Sequence, residues 1–83
     1  MPTEKTLRMQ YFAAFRERAG LGGEELHSTA STLAQLYEEV ALRHGFSFDR
    51  SILRAVLNDT IVPWTAEVRD GDRVAFLTPF AGG

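Results

Sequence analysis

Near the start of the chain Leu7, Met9 and Tyr11 alternate with Thr6, Arg8 and Gln10, the two-residue period of a strand with one buried face. "FAAFRERAG" breaks the alternation. Phe12, Phe15 and Arg16 fall at short helical spacing, and Gly20 and Gly22–Gly23 close the segment, which predicts about one turn of helix and a loop. "EELHS", Glu24 to Ser28, predicts a second, weaker strand antiparallel to the first. The strongest periodicity comes next. Leu33, Leu36, Tyr37, Val40 and Ala41 form one apolar helical stripe, and Glu38, Glu39 and Arg43 lie off it, toward water. Thr32 stands at the N-cap with Gln35 completing a capping box, and Gly45 supplies the left-handed residue that ends the helix. "SILRAVLN" predicts a third strand, apolar except at Arg54, as in a central or doubly covered strand. Asn58–Asp59 is a turn pair, and Ile61–Val62 makes a short fourth strand that Pro63 ends or confines to an edge. After the tight turn Asp70-Gly71-Asp72, "RVAFLT" predicts a fifth strand, with Val74 and Phe76 to one face and Ala75 and Leu77 to the other.

The predicted order is strand, strand, helix, strand, strand, strand. A tight hairpin cannot join parallel strands, so the helix serves as the crossover. The simplest closed arrangement sets the first and last strands side by side in the middle, with the helix across one face. That is an α+β fold of the β-grasp, or ubiquitin-like, kind: a mixed sheet of about five strands with one main helix. A single domain is expected over residues 1–83, with 78–83 as a flexible functional tail. One helix covers one side of a sheet only. If Leu7, Met9 and Tyr11 point to the helix, then Arg8, Gln10 and Phe12 point away, and Leu77 points away when Val74 and Phe76 point in. Phe12 and Leu77, joined by Ile61 from the edge strand, then form either an exposed apolar patch for a protein partner or a minor second core beneath the 59–72 connection.

Composition narrows the partners. The chain has 83 residues, 45% hydrophobic and 24% charged, with a net charge of −2, and no basic stripe for nucleic acid. Its apolar runs are too short to span a bilayer, and Met1 to Thr6 lacks the apolar core of a signal peptide, so a cytoplasmic protein is expected. With no cysteine, disulfides, thiolate metal sites and cysteine nucleophiles are all excluded. His27 and His44 lie on different elements without metal-ligand spacing, so no metal site is predicted and both read as solvated or structural. Glu24–Glu25 and Glu38–Glu39 are sequence neighbours whose side chains diverge, so neither pair makes a catalytic dyad. Asp70-x-Asp72 lacks the rest of a calcium loop, and Ser28, Ser31, Ser47 and Ser51 have no recognisable base or oxyanion partner in sequence.

The candidate chemistry is at the end. The last strand runs into Pro79-Phe80-Ala81-Gly82-Gly83. Pro79 stiffens the exit from the sheet, and side-chain-free Gly82 and Gly83 let the terminal carboxylate of Gly83 enter a narrow cleft. Fully extended, the residues after Thr78 reach roughly 17 Å at about 3.3 Å each, far enough to enter a neighbouring enzyme with Phe80 as an apolar peg.

"YFAAFRERAG", "TLAQLYEEVALRHG", "RAVLNDTIV" and above all "DGDRVAFLTPFAGG" resemble the small subunit of molybdopterin synthase, a sulfur-carrier family. The resemblance covers most of the chain. It departs at Leu57, an extra residue before Asn58, at Thr78-Pro79, where the family commonly has two prolines, and at Ala81, where it has Ser or Thr. The resemblance implies that an activating enzyme uses ATP to adenylate the Gly83 carboxylate and that a sulfur donor converts it to a thiocarboxylate. The loaded tail then enters the large synthase subunit, in a heterotetramer of two large and two small subunits, and gives its sulfur to cyclic pyranopterin monophosphate. It implies no cofactor bound to this chain. Phe12, Ile61 and Leu77 would form the docking patch, and Pro79 and Phe80 would line the entrance to the partner's channel. The alternatives are a sulfur carrier for thiamin or tRNA thiolation, a ubiquitin-like protein modifier, which the lone Lys5 argues against for chain building, and a plain interaction module.

Overall fold

The computed structural model describes residues 3–78, and the tail Pro79 to Gly83 lies outside them. Five strands and two helices follow in the order β1 (Lys5–Gln10), α1 (Ala13–Ala19), β2 (Gly23–Ser28), α2 (Leu33–His44), β3 (Arg54–Leu57), β4 (Thr60–Val62) and β5 (Arg73–Leu77), with a 3-10 turn at Arg50–Ile52. The sheet order is β2-β1-β5-β3-β4. β1 and β5 are parallel neighbours in the middle, and the other pairs are antiparallel. This is the predicted mixed five-stranded α+β sheet.

Each element has a local cause. Gly23 opens β2 because a Cβ there would sit 2.8 Å from the Met9 carbonyl oxygen, so only glycine lets β2 approach β1 this closely. Thr32 caps α2, its Oγ1 accepting from Gln35 N–H at 3.3 Å. The Gln35 side chain reaches back as predicted but accepts from Ser31 N–H at 2.8 Å, one residue earlier than in a capping box. Gly45 ends α2 at φ 72, and Asn58 and Asp59, at φ 50 and 71, form the tight turn between β3 and β4.

Leu7 and Met9 from β1, Tyr11 just after it, Phe15 from α1, Leu26 from β2, the α2 stripe Leu33, Leu36, Tyr37 and Val40, and Ala55, Val74 and Phe76 make one core on a single face of the sheet. Phe15 sits among Phe46, Phe48, Tyr37 and Phe76 with ring centroids 4.8–6.5 Å apart, mostly edge-on. Such pairs add about 0.5–1.5 kcal/mol each beyond their buried area. The 59–72 connection packs on this same side. Ala66 and Trp64 carbonyls accept from Leu33 and Ala34 N–H, the Ser31 carbonyl accepts from Val68 N–H, and Val68 is buried.

Four expectations need correction. The third strand does not begin at Ser51, because the Asp49 side chain accepts from Ser51 N–H and winds Arg50–Ile52 into a 3-10 turn. Nor is that strand central or doubly covered. It lies one place from the edge, with Ala55 buried and Val56 only half-buried. Glu39 does not face water freely, because Ser28 Oγ donates to it at 2.6 Å. α1 is also longer than predicted, at seven residues.

His44 is structural. Glu24 accepts from the Tyr11 hydroxyl at 2.6 Å and from His44 Nε2 at 2.5 Å, tying β1, β2 and the end of α2 together. Burial acts to raise the Glu24 carboxyl, but the bonds from Tyr11 and His44 and the charges of His44 and Arg43 outweigh it and hold the group below its ordinary value. Burial, then the bond to Glu24, pushes the Tyr11 hydroxyl well above the usual tyrosine range. A carboxyl lowered on folding stabilises the fold above its unfolded value, near 4.5, and that contribution disappears as pH falls through the lower folded value. Glu24→Gln is therefore expected to cost about 1–3 kcal/mol at pH 7, with the gap to wild type narrowing below the ordinary glutamate range. Urea unfolding across pH measures both.

Candidate functional site

The face of the sheet opposite α2 carries the candidate site. Strand register assigns its members. Gln10 stands beside Ala75, Ala75 beside Val56 and Val56 beside Ile61, in one row across β1, β5, β3 and β4. The next row, toward the end of β5, holds Leu77 beside Arg54. Carrying the β1–β5 register two residues further leads to Phe12, which keeps an extended backbone at φ −124 and ψ 155. Ala13 then turns the chain into α1 at φ 48, a left-handed conformation that costs a non-glycine residue roughly 1–2 kcal/mol. Phe12 has no side-chain capping role in α1; its carbonyl accepts from Phe15 and Arg16 N–H.

Phe12, Ile61 and Leu77 thus lie on one face. Phe12 is 50% and Ile61 64% exposed, and Leu77 is half-buried. The 59–72 connection packs on the other side, so among the described residues no second core covers them. Pattern reading placed Ala75 on this face with Leu77 but missed Val56 and Arg54 as members of it. The signal for Arg54 was present, as the one polar interruption in an apolar run. Parity gave the direction of Ala75 but not its burial, which depends on neighbours from other strands. Thr78, where β5 ends and the chain leaves the sheet, is buried. The predicted tail residues Pro79, Phe80, Ala81, Gly82 and Gly83 lie outside the described residues.

Among the described residues no cluster of histidine and acidic side chains can hold a metal ion, and no helix is long and apolar enough to cross a membrane. His27 is exposed, with Nδ1 3.2 Å from Thr6 Oγ1. Lys5 Nζ donates to the Ala30 carbonyl at 2.8 Å.

The family model described as the ThiS family matches residues 9–83. The chain belongs to the ThiS family. It is 30% identical over 80 residues to a molybdopterin synthase sulfur carrier subunit from Escherichia coli strain K12, covering 93% of this chain and 99% of that one. A solved structure described as molybdopterin converting factor subunit 1 from Pyrococcus furiosus is 28% identical, with a TM-score of 0.75 over 90% of this chain and 98% of that chain. The fold is also that of a Helicobacter pylori structure, a complex of subunits 1 and 2 of molybdopterin-converting factor, with 22% identity, a TM-score of 0.63, and coverage of 94% and 99% of the two chains.

For this ThiS-family chain, exposure separates Phe12 from the core phenylalanines. Phe12→Arg is expected to change stability by no more than about 0.5 kcal/mol, whereas Phe15→Ala costs about 3–5 kcal/mol. Thermal melting of the two variants checks the contrast.

Proposed function

We propose that this chain is the sulfur carrier subunit of a molybdopterin synthase, with Gly83 as its reactive end. The observation that carries the reading is the near end-to-end match to a molybdopterin synthase sulfur carrier subunit, at 30% identity over 99% of that relative. The placement of the strand that leads to the tail supports it. β5 emerges in the middle of the sheet beside an exposed apolar face, so a partner that covers the face is positioned to receive the tail.

The chemistry needs nothing from this chain but its terminus. A carboxylate is a poor electrophile. A partner activating enzyme transfers the adenylyl group of ATP to the Gly83 carboxylate and releases pyrophosphate. A sulfur donor attacks the mixed anhydride, AMP leaves, and a thiocarboxylate remains. The tail then enters the large synthase subunit along Pro79 and Phe80, and its sulfur passes to cyclic pyranopterin monophosphate. A dithiolene needs two sulfurs, so two loaded carriers serve each product, in keeping with two large and two small subunits. Phe12, Ile61 and Leu77 form a docking patch used in turn by the activating enzyme and the large subunit. Acids, bases and phosphate ligands belong to those partners.

Incubation with ATP, activating enzyme and a sulfur donor is expected to give the oxygen-for-sulfur mass shift by intact-mass analysis. Adding the large subunit and cyclic pyranopterin monophosphate is then expected to give molybdopterin. Deleting Gly83 abolishes both without changing the melting temperature. Full activity without Gly83 rules out the mechanism, sulfur loading without molybdopterin points to thiamin or tRNA thiolation, and conjugates to other proteins mark a modifier. Phe12→Arg is expected to weaken large-subunit binding at least about tenfold, as truncation at the centre of an interface does. Titration of the large subunit measures it.

A further inference from the structure

Beside the end of β5 the surface opens into a groove of about 630 Å³ lined by Asp49, Arg50, Ser51, Leu53, Arg54 and Trp64. Arg54 stands opposite Leu77, so the groove adjoins both the root of the tail and the open face. Trp64 stacks on Phe76, with ring planes 19° apart, and the Arg50 guanidinium lies 5.5 Å from the Trp64 ring centroid. That arginine is held against a ring fixed to the core.

Asp49 is the only carboxylate among the lining residues. It is engaged by Ser51, whose backbone N–H it accepts at 2.8 Å. That bond, together with the charge of Arg50, keeps Asp49 ionised below the usual aspartate range. Among the described residues, no carboxylate lies within ion-pair distance of Arg50 or Arg54. Among the described residues, the Arg54 guanidinium donates one hydrogen bond, to the carbonyl of its own neighbour, Leu53, at 3.1 Å. On a chain of net charge −2, the groove is therefore locally cationic.

A protein that covers Ile61, Val56 and Leu77 while taking up the tail must also cover Arg54. Removing a guanidinium from water without a counter-charge is strongly unfavourable. Resting on the carrier reading above, we propose that Arg50 and Arg54 receive an aspartate or glutamate side chain of the large synthase subunit, and that this pair sets partner choice beside the apolar patch. Planar guanidiniums match a carboxylate by paired hydrogen bonds, and charges at such a place govern association rate and specificity.

The test uses the full chain and its cognate large subunit, with binding kinetics measured between low and high salt. Arg54→Gln, and Arg50→Gln with Arg54→Gln, are expected to weaken binding at least about tenfold and to flatten its salt dependence. Arg54→Glu weakens it further, and an Asp or Glu to Arg change on the large subunit restores it. Arg54→Gln alone serves if loss of Arg50 from Trp64 disturbs folding, because Arg54 is exposed. Neutral variants that bind within twofold of wild type, with the same salt dependence, overturn the proposal and leave the carrier reading intact. Neutral variants that bind more tightly also overturn it. A wild-type chain that does not bind the large subunit overturns both.

Discussion

Three residue pairs, Arg8 with Arg73, Met9 with Val74 and Gln10 with Ala75, join the first strand of the chain to the last. This parallel pairing closes the longest loop in the fold, so its entropic cost is met only when everything between the two strands packs. It also fixes parity. Met9 and Val74 face the helix together, and Gln10 and Ala75 face away together. A slip of one residue would turn Phe76 outward and Ala75 inward, and the aromatic cluster built on Phe76 would be lost.

That cluster explains why one face of the sheet is full and the other open. α2 brings four large buried side chains to one side, and the long connection after β4 closes over the same side through hydrogen bonds to the start of α2. The Tyr11–Glu24–His44 tie pins the far end of α2 to β1 and β2. Nothing comparable reaches the opposite face among the described residues. Phe12, Ile61 and the half-buried Val56 and Leu77 remain there, beside an arginine pair.

On the carrier reading, this division separates stability from function. The packed face supports a rigid body, and the open face and the tail root serve the partners. Such a body needs no pocket of its own for a substrate. It needs a fixed strand end and a surface that two different proteins can cover in succession, with charge at the rim to discriminate between them.

Much of the fold was legible from local pattern, because local physics decides it. Alternation marked β1, an apolar run after a tight turn marked β5, the 3.6-residue stripe marked α2, Thr32 and Gly45 marked its ends, and Asn58–Asp59 marked the turn between β3 and β4. The Phe12, Ile61 and Leu77 face followed from parity once the first and last strands were taken as neighbours. Other features were out of reach of pattern, because they depend on what another segment brings. Glu24 and His44, twenty residues apart, meet only when β2 and α2 pack, and the 3-10 turn at Arg50 replaces a strand because Asp49 bonds the following backbone. Arg54 could be seen in the sequence as an interruption, but only the register of β3 against β5 sets it beside Leu77, and only the stacking of Trp64 on Phe76 brings Arg50 to the same groove. Periodicity along one segment reports which way a side chain faces, and the identity of its neighbours is settled where segments distant in sequence come together.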